Sequence, residues 1–162
     1  MSVLDIGCGP ADVLEYFSVD RYIGIDLNPA YVATAERRFG DKGKFLVGDA
    51  AGIEVSESEK FDRVLALGLL HHLDDDEVRI LAKSARRLLA AGGKFVSADP
   101  CYIPGQNPLA RYLISKDKGR SIRALEAYRE LLSPYFPKVT SSLRDDFLRV
   151  PYNHCIFECE IE

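Results

Sequence analysis

Apolar residues recur along this chain in two alternating rhythms. Short β-rich runs occupy Ser2–Ile6, Tyr22–Asp26, Lys44–Val47, Phe61–Leu67 and Lys94–Ala98. Between them, apolar positions return every three or four residues, the period of a helix with one buried face. The stretch from about Ala11 to Phe17 predicts a first helix. A second is bounded by strong end signals: Asn28 suits a cap, Pro29 the first turn and Gly40 the stop, with Tyr31, Val32, Ala35 and Phe39 on one face. A third is predicted from about Asp75 to Ala91, with Val78, Leu81, Ala85, Leu88 and Leu89 as its core stripe and Gly92-Gly93 as its end. Asp74, Asp75, Asp76 and Glu77 favour its positive end. Phe61–Leu67 is nearly continuous in apolar residues, as expected of a strand covered on both faces.

Strand alternating with helix predicts an α/β fold whose sheet is mostly parallel, with right-handed crossovers. Ligands of such sheets bind beyond the carboxyl ends of the strands. That rule selects residues 7–10, 26–28, 49–50, 67–72 and 99–102. Further on, Pro100, Pro104 and Pro108 predict a loop, followed by helices near Leu109–Ser115 and Ser121–Leu132. The region of about 100–133 thus reads as a helical insertion before two closing strands near Lys138–Leu143 and Cys155–Ile161.

At 162 residues, 47% hydrophobic and 28% charged, the chain has the size and composition of one soluble globular domain. A net charge of −4 argues against tracking a nucleic-acid backbone over a wide surface. No apolar run approaches the roughly 20 residues of a membrane helix, and no signal-peptide pattern opens the chain. Cys8, Cys101, Cys155 and Cys159 lack the spacing of a disulfide framework or a zinc site, so the expectation is reduced thiols in the cytoplasm and no metal.

Gly7 and Gly9 permit a tight turn with exposed backbone N–H groups. Asp12 stands where a dinucleotide fingerprint has its third glycine, and a carboxylate there opposes a pyrophosphate. This counts against a nicotinamide-dependent oxidoreductase. Asp5, just before the turn, suits a positively charged group. Asp26 can accept hydrogen bonds from a ribose diol, and Asp49 from an exocyclic amino group. The acids together describe a ligand with an amino acid end, a ribose and an adenine.

These segments resemble the class I S-adenosylmethionine-dependent methyltransferases. Asp5-Ile6-Gly7-Cys8-Gly9-Pro10 is similar to their first motif and Gly24-Ile25-Asp26-Leu27-Asn28 to their second. Phe45–Ala50 resembles the adenine-contacting segment, and Phe61–Val64 through Leu70–Leu73 the fourth strand and its exit. Leu88–Gly93 resembles the helix end before the fifth strand. The resemblance implies a Rossmann-like three-layer sandwich with an antiparallel C-terminal hairpin, spanning residues 1–162 as a single methyltransferase domain. It implies S-adenosylmethionine as cofactor, S-adenosylhomocysteine as product, and a cofactor site built from Asp5, Gly7, Cys8, Gly9, Asp26, Leu27, Asp49, Ala50 and Leu67. Ala11 replaces a common third glycine, and the helix that most relatives carry before the first strand is absent from this sequence.

The acceptor side is less determined. His71 and His72 leave the fourth strand, either as groups that orient or deprotonate an acceptor or as a structural strand exit. Asp99, Cys101 and Tyr102 follow the fifth strand, with Asp99 alternatively only fixing a turn before Pro100. Arg111, Lys116, Lys118, Arg120 and Arg123 form a local basic excess that holds an anionic acceptor or is a solvated surface. If the first closing strand runs with the sheet, residues 144–154 reach the ligand edge, making Arg149, Tyr152 and His154 candidates; edge packing is the alternative for the last two. The catalytic candidates are therefore His71, His72, Tyr102, Tyr152 and His154, and the acceptor-binding candidates Arg111, Lys116, Arg120, Arg123 and Arg149. The expected activity is methyl transfer to an oxygen or nitrogen of a small molecule, with neither nucleic acid nor membrane as partner. The competing reading is a methyltransferase-like binding module acting with a partner. A homo-oligomer or a partner covering the cofactor site remains an alternative.

Overall fold

The computed structural model describes residues 1–50, 52, 55, 56 and 58–161. Its strands are β1 (Ser2–Ile6), β2 (Arg21–Asp26), β3 (Lys44–Val47), β4 (Phe61–Leu67), β5 (Leu89–Tyr102), β6 (Arg123–Ala124), β7 (Lys138–Arg144) and β8 (His154–Glu160). The helices are α1 (Pro29–Phe39), α2 (Asp75–Leu88), α3 (Pro108–Ser115) and α4 (Leu125–Leu132). The strands form one sheet in the order β3-β2-β1-β4-β5-β8-β7, with β6 paired to β5 off this path. Strands β1 to β5 pair in parallel, whereas β8 is antiparallel to both β5 and β7. The Rossmann-like sheet and its antiparallel C-terminal strands are as the resemblance implied. Because β7 runs with β1–β5, the β7–β8 connection emerges at the carboxyl edge of the sheet.

Alternation along the strands divides the core into two layers. Leu4, Ile6, Ile23, Ile25, Val64 and Ala66 face one apolar cluster, which α2 completes with Val78, Leu81, Ala82, Ala85 and Leu88. Val3, Tyr22 and Leu65 face the other, against Val32, Ala35 and Phe39 of α1. Tyr128, Leu131 and Leu132 of α4 join the first cluster. The insertion therefore buries its own apolar face on the sheet.

Several boundaries differ from the sequence expectation. The helix expected over residues 11–17 is a single 3-10 turn, Asp12–Glu15. Ala11 enters it with a left-handed φ of 59° and supplies no side-chain cap, so the helix does not propagate. Asp12 and Glu15 instead pair with Arg38 of α1. Helix α2 stops at Leu88 because Leu89 already pairs with Phe61 in the sheet. A buried leucine satisfies both periodicities, so the pattern alone does not mark that switch. Helix α4 begins at Leu125, since Arg123 and Ala124 are paired with Cys101 and Tyr102. Tyr31, expected on the core face of α1, is half exposed.

The end signals of α2 are real contacts. Asp74 accepts from Glu77 N at 2.9 Å, and Glu77 accepts from Asp74 N at 2.8 Å, a reciprocal box that satisfies two orphan donors. Asp74→Ala is expected to cost about 1 kcal/mol. Urea denaturation should show a lower midpoint with an unchanged slope.

Candidate functional site

The turns leaving neighbouring strands are bonded to one another at the carboxyl edge. Gly7 N and Cys8 N both donate to Ile25 O, at 2.7 and 3.0 Å. Gly9 N donates to Asp26 Oδ2 at 2.8 Å, and Asn28 N donates to Asp26 Oδ1 at 2.8 Å. Asp26 thus fixes the turn after β1 and the start of α1 together, and each carboxylate oxygen retains lone-pair capacity for a further donor. Gly7 has a φ of 73°, which strains any side chain, and a Cβ there would press on Leu69 Cδ1 at 2.9 Å.

A cleft of about 400 Å³ opens over these turns. Of the expected cofactor residues, Gly7, Gly9, Asp26, Leu27, Asp49 and Ala50 line it. Asp5, Cys8 and Leu67 do not. Asp5 is buried and accepts a hydrogen bond from Tyr22 Oη at 2.6 Å, and burial pushes its carboxyl up to about 7. Residues two apart share a strand face, so Asp5 follows Val3 into the α1 layer. Cys8 is also turned inward, and burial pushes its thiol up to about 12. Tyr31, Gly48, Gly68, Leu69, Leu73 and Glu77 also line the cleft. The strand-exit rule had selected Gly68 and Leu69, and Gly48 and Leu73 fall in the motif segments, though none was named as a cofactor residue; Tyr31 and Glu77 were read only as helix residues.

A second hollow, of about 420 Å³, lies on the other side of Gly68 and is lined by it together with His71, Ala98, Pro100, Asp117, Phe147, Leu148, Tyr152 and His154. Gly68 borders both spaces. The two adjacent histidines divide between them: His72 lines the first cleft and His71 the second, with ring centroids 4.0 Å apart. His71 Nδ1 lies 2.8 Å from Asp99 Oδ1, which also accepts from His71 N at 3.1 Å. Since a carboxylate accepts, Nδ1 carries the proton. His71 Nε2 faces Asp117 Oδ1 at 3.6 Å. Asp117 in turn accepts from Tyr152 Oη at 2.6 Å and from Gly119 N at 2.8 Å. A Cβ at Gly119 would fall 2.3 Å from His71 Cδ2, so the imidazole is held against bare backbone.

Burial acts to raise the Asp117 carboxyl, but the bonds from Tyr152 and Gly119 and the two histidines hold it below the usual carboxylate range. Burial raises the Tyr152 hydroxyl and lowers His72 and His154. The rings of Tyr152 and Phe147 stand 5.0 and 5.2 Å from that of His154.

The basic candidates do not converge on this hollow. Arg123 is nearly enclosed; it bonds Leu70 O, Leu73 O and Ser121 O, pairs with Asp75, and lies over the Tyr128 ring. It ties α4 to the β4 exit and is not an acceptor-facing cation. Arg111 lies over Tyr102, and Lys116 over Tyr112. Arg120 donates to His72 O and lines the first cleft, and Arg149 lines a separate hollow with Gln106 and Asn153. Tyr102 lines neither space. The sequence cluster disperses because its members sit on different turns of the insertion.

A family model described as a methyltransferase domain matches residues 3–93, more than half of the chain. The chain belongs to this family, the class I S-adenosylmethionine-dependent methyltransferases. Phosphoethanolamine N-methyltransferase 1 of Zea mays is 29% identical over 159 residues, covering 91% of this chain and 30% of that protein. The mRNA cap guanine-N(7) methyltransferase of Schizosaccharomyces pombe is 28% identical over 113 residues, covering 60% of this chain and 31% of that protein. The chain therefore spans about a third of the length of these relatives. Their names point to a small molecule in one case and RNA in the other, so the expected exclusion of nucleic acid finds no support from them. Among solved structures, the complex between the Haloferax volcanii Trm112 methyltransferase activator and a methyltransferase gives a TM-score of 0.78 at 17% identity, covering 99% of this chain and 82% of that one. An amino pentose methyltransferase from Micromonospora echinaspora gives 0.73 at 17% identity, covering 98% and 83%. Among the described residues, no helix is long and apolar enough to cross a membrane.

Two predictions follow from the buried charges. Arg123→Ala should destabilise the fold by about 2 kcal/mol or more, because buried carbonyls lose a charged donor; thermal unfolding will read this. Asp5 has a raised folded-state value, so the fold keeps its proton over a range where the unfolded chain has lost it, and stability falls as pH rises from about 4 towards 7. In Asp5→Asn that dependence should flatten, with the variant gaining on the parent chain across this window in urea melts.

Proposed function

We propose that the first cleft holds S-adenosylmethionine and that the hollow beyond Gly68 holds a small-molecule acceptor with a nucleophilic oxygen or nitrogen. The observation that carries this reading is that Gly68, with a φ of 68° and no side chain, lines both spaces. The cleft fits the cofactor chemically: a glycine floor at Gly7 and Gly9, a carboxylate at Asp26 with accepting capacity for ribose hydroxyls, and Asp49 at the opposite end for the adenine amino group. Leu27, Leu69 and Leu73 supply apolar wall for the base and for the carbon chain beside the sulfonium. We read residues 1–162 as one such catalytic domain. Its free thiols agree with a reducing, cytoplasmic setting.

When bound, the sulfonium supplies an already electrophilic methyl carbon. What remains for the chain is positioning, exclusion of water and, where the acceptor carries a proton, its removal. The Asp26-fixed turns hold the cofactor end. His71, oriented by Asp99, stands at the acceptor end with Nε2 towards the hollow's acidic wall. The sheet edge between them keeps both groups on short, mutually bonded turns.

A second reading, a methyltransferase-like module acting with a partner, is favoured by the exposed apolar rim of the cleft, where Leu27 is 71% and Tyr31 50% exposed. Calorimetry with S-adenosylmethionine followed by mass-spectrometric acceptor screening separates the two: uptake without any methylated product supports the module. Asp26→Ala should weaken cofactor binding by about 1.5–3 kcal/mol, the scale of hydrogen bonds to a charged group. Unchanged affinity by calorimetry would overturn the assignment of Asp26.

A further inference from the structure

We propose that the acceptor bound beside Gly68 is a protonated amine, and that His71 Nε2 removes its proton before methyl transfer. This rests on the assignment of that hollow as the acceptor site. Its charge has one sign. Asp117 lies in the wall and Asp99 stands directly behind His71. Among the described residues, no lysine or arginine lines the space itself; Arg144, over the Phe147 ring, is paired with Asp146. Burial lowers His154, which works against a positive charge on that wall. Asp99 Oδ2, in a side chain 1% exposed, has no hydrogen-bond partner among the described residues. An anionic acceptor meets net repulsion here, contrary to the anion-holding patch that the sequence suggested.

The remaining wall suits a cation specifically. Phe147, Tyr152 and His154 bring three rings to the hollow; the Arg144 guanidinium already lies over the Phe147 ring, 4.9 Å from its centroid, and the Tyr152 ring is left to attract an ammonium group within about 6 Å of its centroid. Asp117 is fixed by Tyr152 Oη and Gly119 N, yet each of its oxygens has a further lone pair for an ammonium N–H. A neutral alcohol can donate one hydrogen bond to the carboxylate but lacks the charge attraction and the cation–ring contribution.

The same geometry handles the proton. An ammonium nitrogen has no lone pair and cannot attack carbon. Asp99 accepts from Nδ1–H, so the basic nitrogen is Nε2, which faces Asp117 at 3.6 Å. One N–H bond of the ammonium breaks and its proton passes to Nε2. The freed pair forms the new N–CH3 bond as the methyl–sulfur bond breaks, its electrons staying on sulfur. Asp99 steadies the imidazolium so formed and is a positioning residue.

The test uses three isosteric probes, n-butylammonium, n-butanol and butyrate, and reads the ring signals of the three histidines by proton–carbon NMR. Butylammonium alone should shift the His71 and His154 signals saturably, and Asp117→Asn should weaken this at least tenfold. Tyr152→Phe, which keeps the ring, should weaken it several-fold and serves if Asp117→Asn does not fold. Equal response to butanol or butyrate, no response to the amine, or full amine binding by the folded variants overturns the proposal. Calorimetry with S-adenosylmethionine on the same sample separates the two assignments. Cofactor uptake without an amine response removes only the amine. An amine response without cofactor uptake removes the methyltransferase reading.

Discussion

The exits of parallel strands end in backbone donors and acceptors that no further ladder satisfies, and here each exit is tied to its neighbour. The β1 turn donates to Ile25 O and to Asp26, the β2 exit. Gly68 N donates to Ala98 O, and His71 bonds to Asp99, joining the β4 exit to β5. Buried or half-buried polar groups gain most from partners fixed in advance. This lateral stitching holds the two clefts in register along one edge. Without it, the glycine turn and the histidine pair are loops on separate strands.

The β4–β5 tie also explains how one short segment serves two spaces. His71 is drawn inward by Asp99 and backed by Gly119, whereas His72 follows on the outer side towards Asp26's cleft. The insertion contributes through Asp117, and the β7–β8 connection through Tyr152. Their hydrogen bond at 2.6 Å joins two segments far apart in sequence into one wall. Arg123 anchors the insertion to the β4 exit from beneath. Charge that looked like a recognition surface in the sequence is partly internal fastening.

The strands β1 to β4 were legible almost to the residue because period-two alternation, or a continuous apolar run, leaves few alternatives. Asn28, Pro29 and Asp74 marked helix starts for the physical reasons they cap. The helix ends were harder: Leu89 packs equally well in either periodicity, and only its pairing with Phe61 decides. The left-handed backbone of Ala11 was signalled only by the glycine that relatives commonly carry there. In the site, the glycines and Asp26 could be placed from the strand-exit rule. Asp5 could not be told apart from them without asking which strand face it occupies, nor Cys8 without the path of the turn. Asp117 was legible only as a minus sign among lysines, since its partners, His71 and Tyr152, are set by tertiary contact.

Strand order has a consequence for synthesis of the chain. Strand β8 sits between β5 and β7, so the β5 edge gains its neighbour last. During vectorial emergence from a ribosome, the β1–β4 portion can assemble from local crossovers, while β5 presents an unpaired edge until β8 arrives. Tyr152 and His154 arrive with that strand. The wall facing Gly68 is thus completed after the glycine turns, and a nascent chain displays those turns well before it has a second hollow.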